Sequence, residues 1–126
     1  MGYETDVIFA LDKSLVPYFL VFAAEEPFFI KTLFTQFTLN KDYLGEGHYL
    51  FHLEKGEWSQ KTQSQFLDLI IKLEENEKIG DSLEERSLPG VSDLFRYIMI
   101  GEDMDDYSDK GWAFMDEIHI QRSIKF

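Results

Sequence analysis

The sequence predicts an α+β domain of two layers: a mainly antiparallel sheet of about four strands with two or three helices on one face. Three observations predict it. Period-two alternation recurs in Thr5–Leu11, His48–Glu54 and Glu117–Phe126, beside an apolar run at Phe95–Ile100. Helical spacing appears once clearly, where Phe66, Ile70 and Leu73 recur at i, i+4 and i+7, with Leu67 and Ile71 beside them. The 126 residues, 44% hydrophobic and 16% aromatic, suit one folded domain spanning 1–126 with a real core.

In Thr5–Leu11 both faces are apolar, Val7, Phe9 and Leu11 on one and Ile8 and Ala10 on the other. That pattern fits a central strand covered on both sides, or one buried against a partner. Asp12 or Ser14 can cap a following helix, and Pro17 then falls in its first turn, where a missing N–H costs nothing. Leu15–Glu26 is apolar nearly all round. A buried strand competes there, but Ala23-Ala24-Glu25-Glu26 favours helix. Pro27 ends it and opens a second helix through Gln36, with Phe28, Phe29, Leu33, Phe34 and Phe37 as its buried side.

Asn40–Gly47 reads as a turn region with two glycines. His48–Glu54 follows as a strand with Tyr49, Phe51 and Leu53 opposite His48, Leu50 and His52, and Lys55-Gly56-Glu57 as a bend or bulge. The clear helix runs from Ser59–Gln63 to about Glu77. Lys78–Asp93, with Gly80, Pro89 and Gly90 as breakers, reads as a loop. The last third reads as an antiparallel pair. Phe95–Ile100 enters, an acidic loop turns, and Glu117–Phe126 returns with Ile118, Ile120, Ile124 and Phe126 on one face.

A net charge of −12 repels nucleic acid and anionic membranes, so basic proteins or cations are the natural partners. Zero cysteines exclude disulfides and thiolate zinc sites and fit a reducing, cytoplasmic setting. Acids near the start do not make a signal peptide, and Leu15–Ala24 is about half a membrane span. The ring-rich segment Tyr18–Phe37 is core, although part of it can serve a homodimer interface.

The feature that can carry function is the loop Glu102–Asp109, with five carboxylates (Glu102, Asp103, Asp105, Asp106 and Asp109) in eight residues and no base. An EF-hand fails in both registers. Starting at Asp103, the sixth position is Ser108 and the twelfth Phe114; starting at Asp105, the sixth is Lys110. A looser cation site, a solvated loop tip and a binding surface remain as readings. Asp116 and Glu117 lie just beyond, and Glu84-Glu85 joins the same edge if the preceding loop folds back. Arg96 and Arg122 share faces with isoleucines, and bracing the acidic loop by ion pairs is the simplest use of them. His48 and His52 face one way but stand roughly 13 Å apart along a strand, too far for one metal ion. No metal site or cofactor is expected. Neither a G-x-S-x-G nucleophile elbow nor a glycine-rich phosphate loop occurs.

The run Tyr97-Ile98-Met99-Ile100-Gly101-Glu102-Asp103-Met104-Asp105-Asp106 resembles a motif of small phage and prophage proteins of unknown function. In these an I-R-I-G-E-D-x-x-D-like stretch follows a strand and precedes a short C-terminal strand with an arginine. Arg122 stands at that arginine's place, and Met99 stands where a further arginine is commoner. The opening Met-Gly-Tyr-Glu-Thr and the Trp58-plus-helix section look similar too, so the resemblance covers about half the chain. It implies a phage-borne protein and no particular activity.

The expected function is a non-enzymatic acidic interaction protein. Its partner-binding residues are Glu102, Asp103, Asp105, Asp106 and Asp109, supported by Arg96 and Arg122. The expected partner is a basic protein surface, a host nucleic-acid-binding protein or a toxin, in an inhibitor or immunity-type role. The alternatives are a divalent-cation-dependent small enzyme, or an accessory protein whose acidity only confers solubility.

Overall fold

A computed structural model describes residues 4–57, 59–101, 107–120 and 124–126. Its centre is β1 (Glu4–Leu11), the strand whose two faces are both apolar. β1 pairs antiparallel with β3 (His48–Glu57) on one side and β4 (Phe95–Ile100) on the other. With β2 (Thr38–Tyr43) and β5 (Tyr107–Lys110) at the edges, the order is β2-β3-β1-β4-β5, antiparallel throughout. Val7, Phe9 and Leu11 enter the larger core under the helices, while Ile8 and Ala10 enter a smaller core on the opposite face. All five are fully buried. A strand wet on one side would have shown polar alternation.

The helical layer begins with α1 (Val16–Ala24) and α2 (Pro27–Gln36), broken at Pro27 as the sequence predicts. The Asp12 carboxylate accepts from the Ser14 N–H at 2.9 Å, capping the turn before α1 rather than the helix itself. α1 buries Val16, Phe19 and Ala23; α2 buries Phe29 and Leu33 and leaves Phe28 exposed. α3 (Gln60–Glu75) is capped by Ser59, whose side chain accepts from the Thr62 N–H. Its buried stripe is Phe66, Leu69, Ile70 and Leu73, and Ile71 turns outward.

The expected loop over Lys78–Asp93 holds a helix, α4 (Glu77–Glu85), and a short 3-10 turn at Val91–Asp93. Asn76 caps α4 by accepting from Ile79 N–H at 3.0 Å, and Ile79 and Leu83 bury one turn apart. At its end Leu88 N–H bonds the Leu83 carbonyl and Ser87 N–H the Glu84 carbonyl, with Ser87 at φ 57°. That is a Schellman ending in which serine occupies the place glycine usually takes, and Leu83 and Leu88 close it in the core. Gly80 faces open space, so it weakens the helix without breaking it.

Phenylalanine rings fill the larger core. Phe9 meets Phe66 edge-on at 4.6 Å between centroids, and lies 5.1 Å from Phe19 and 6.3 Å from both Phe51 and Phe95.

Two further expectations are corrected. The region from Asn40 is not all turn: β2 runs to Tyr43, and Leu44–Gly47 alone makes the turn, with Gly45 and Gly47 both at positive φ. Among the described residues the C-terminal segment does not pair with β4. Its place in the sheet belongs to β5, while β6 (His119–Ile120) and β7 (Ile124–Lys125) form a separate small pair. Ile118 and Ile124, two of the residues on the face read from alternation, pack on Ile8, Ala10, Leu50 and Ile98 and cover the second face of the sheet, while Phe126 is half exposed. The bulge expected near Gly56 is present. Thr5 opposes Gly56 and Val7 opposes Leu53, Lys55 sits at φ 48°, and its N–H bonds the Asp6 carboxylate at 2.8 Å.

Candidate interaction edge

The edge strand β5 carries Asp109 of the five loop carboxylates read from the sequence, and the turn after it carries Asp116 and Glu117. Its ladder to β4 sets Tyr107 beside Ile100 and Asp109 beside Ile98. Paired residues share a face, so Tyr107 and Asp109 lie on the side covered by the C-terminal segment.

Arg96 enters on that same face, two residues before Ile98, and is buried. Its Nη1 and Nη2 donate to the two carboxylate oxygens of Asp109, the latter at 3.0 Å. Nη1 also donates to the Gly111 carbonyl at 2.9 Å. This fork uses the planar geometry that lysine lacks and ties β4 to the end of β5. Gly111 is required where it stands: at φ 86° a side chain is strained, and a Cβ would press on the Phe95 carbonyl oxygen. Trp112 N–H bonds the Ser92 carbonyl at 2.9 Å and Ala113 N–H the Phe95 carbonyl at 3.1 Å, fixing the exit of the strand.

The fixed frame holds apolar side chains out in solvent. Trp112 is 64% exposed, Tyr107 55% and Met115 47%, and the carboxylates of Asp116 and Glu117 are exposed next to them. Tryptophan, tyrosine and methionine are the side chains that interfaces use as anchors. Sequence reading passed over all three because they fall outside any apolar period. A tryptophan placed between glycine and acids was the available signal.

Among the predicted site residues, Glu102, Asp103, Asp105, Asp106 and Arg122 lie outside the described residues. Asp109, expected as a contact carboxylate, has both oxygens on Arg96, so it serves the hairpin itself. Glu84 and Glu85 sit in the last turn of α4, within the helical layer.

His48 and His52 have different surroundings. His48 is buried with Nδ1 accepting from Lys13 N–H at 3.0 Å, which leaves the proton on Nε2 to reach Glu46 at 3.1 Å. The His52 ring lies 4.6 Å from Phe126. Among the described residues no group of three or more His, Asp or Glu is placed to hold a metal ion.

On β2, at the opposite edge of the sheet, Tyr43 is buried against Phe114, ring edge to face at 5.6 Å, and its hydroxyl has no hydrogen-bond partner among the described residues. Burial, and then the nearby Glu117 charge, push its pKa above 10.0. The folded state therefore holds this proton more tightly, and stability falls as pH rises beyond the unfolded value of 10.0. Tyr43→Phe is expected to remove that share of the alkaline loss. At neutral pH it should raise unfolding free energy by up to about 1 kcal/mol, because an unpaired buried hydroxyl disappears. Urea unfolding at neutral and alkaline pH reads both effects.

Compared with protein-family models, curated proteins and solved structures, the chain gives no match.

Proposed function

We propose that this chain is a non-enzymatic interaction protein whose β4–β5 edge binds a basic surface on another protein. The observation that carries the reading is the exposure of Trp112, Tyr107 and Met115 in a stretch where seven carboxylates between Glu102 and Glu117 face one lysine, Lys110. Apolar anchors supply affinity on desolvation, and the surrounding charge selects and steers a basic partner. Carboxylates placed so compete for a surface that otherwise meets phosphates, which fits an inhibitory or immunity-type role in a reducing, cytoplasmic setting. No helix among the described residues is long and apolar enough to cross a membrane.

The test is capture from lysate at about 50 and 300 mM salt, a range over which the screening length drops well below 10 Å. Wild type is compared with Asp105→Asn/Asp106→Asn and with Trp112→Ala. One dominant basic protein, held at low salt by wild type and lost from both variants, supports the reading. Equal capture by all three proteins at both salts shows the acids to be solvating only and sinks it.

A further inference from the structure

Resting on that reading, we infer that the partner adds an extended, basic segment to the outer edge of β5 as a sixth strand. β5 is hydrogen-bonded in the sheet on one side only, and among the described residues no backbone bond runs from it to anything beyond β4. Tyr107, Ser108, Asp109 and Lys110 take consecutive register against Ile100 to Tyr97 without a bulge, so the row of outward N–H and C=O groups is regular. Such a row is a template for another strand.

The opposite edge of the sheet is built differently. β2 shifts register between Asn40 and Tyr43, and the Asp42 N–H turns to the Asn40 side chain at 2.9 Å. A bulge of this kind spoils a template. β5 has no bulge over Tyr107–Lys110. Tyr107 opens the strand and Trp112 follows it just past the turn at Gly111, so both exposed rings flank the edge.

Charge names the occupant. A second copy would bring another −12 to an edge already flanked by Asp116 and Glu117, so like-charge repulsion closes it to self-pairing. A segment alternating basic and apolar residues meets no such barrier. Its apolar side chains reach the exposed rings, and its cations lie among the carboxylates.

The test uses a peptide of about eight residues alternating lysine and valine, with a glutamate–valine peptide as control, and amide hydrogen exchange followed by NMR. The inference expects every second amide of Tyr107–Lys110 to slow at least about tenfold with the lysine peptide alone. Cross-strand NOEs from the peptide to β5 should accompany the slowing. Binding that shifts Trp112 but leaves β5 exchange unchanged overturns the added strand while sparing the interaction reading. Protection at β2, or the same slowing with the glutamate peptide or with protein concentration alone, overturns it as well. So does a lysine peptide that fails to bind.

Discussion

Asp109→Ala is expected to lower the unfolding free energy by about 3 kcal/mol, the cost of leaving a buried charge without its partner. The two ends of the pair differ in solvation. The Arg96 side chain is 8% exposed and that of Asp109 29%. Removing the carboxylate strands a guanidinium that cannot lose its proton, with the Gly111 carbonyl as its remaining described acceptor. Arg96→Met keeps much of the packing volume and frees a carboxylate that water already reaches, so it should cost less, about 1–2 kcal/mol. The double variant Arg96→Met/Asp109→Ala should be more stable than Asp109→Ala alone, since no charge is then left unpaired. Urea denaturation of the four proteins closes the cycle. Equal losses for the two single variants would mean that the pair behaves as a solvated surface bridge. The hairpin would then be held by the Trp112–Ser92 and Ala113–Phe95 backbone bonds instead.

This contact also shows how far the sequence could be read. Arg96 on a face with Ile98 and Ile100 implied an acidic neighbour, but alternation within one strand cannot say which of five loop carboxylates arrives. The register of β5 decides it, and Tyr107-Ser108-Asp109-Lys110 carries no apolar pattern from which a strand is recognised. β1, by contrast, was legible because apolar residues on both faces leave few positions other than the centre of a sheet. The C-terminal alternation predicts one strand with a half-buried face. The structure instead has the short pair β6 and β7, with Ile118 and Ile124 buried and Phe126 half exposed, since a period of two says neither what covers a face nor where the chain turns. α4 was missed for a different reason. Two buried residues, Ile79 and Leu83, make too weak a period, and its ends are set by Asn76 and by the Ser87 turn, whose chemistry local sequence under-specifies. The exposed anchors are a matter of burial. A lone tryptophan in an acidic stretch is core or contact depending on packing that no local pattern records.

Phe9→Ala is expected to be the most damaging single truncation, costing about 3–5 kcal/mol and, against a typical domain stability of about 5–15 kcal/mol, bringing the chain near its folding threshold. Phe9 is fully buried at the middle of the central strand, and its ring touches rings from α1, α3, β3 and β4. Removing it opens a cavity among four other phenylalanines, and the edge-on contact with Phe66 is lost as well. Phe28→Ala is the internal control: that ring is 74% exposed, so the change should stay within about 0.5 kcal/mol. Phe9→Leu, which keeps most of the apolar volume, should fall between them. Thermal and urea unfolding give the ranking. The consequence for function follows from the ladder, because β4, which carries Arg96 and holds β5, is paired to β1 from Asp6 to Leu11. Phe9→Ala should therefore weaken partner capture only in proportion to the unfolded fraction, whereas Trp112→Ala should abolish capture in a chain as stable as wild type. Trp58→Phe leaves Trp112 as the sole indole, so its emission follows the edge separately from global unfolding. If Phe9→Ala moved that emission well before the core melted, β5 would be a separable unit, and the partner would bind a hairpin rather than the edge of a sheet.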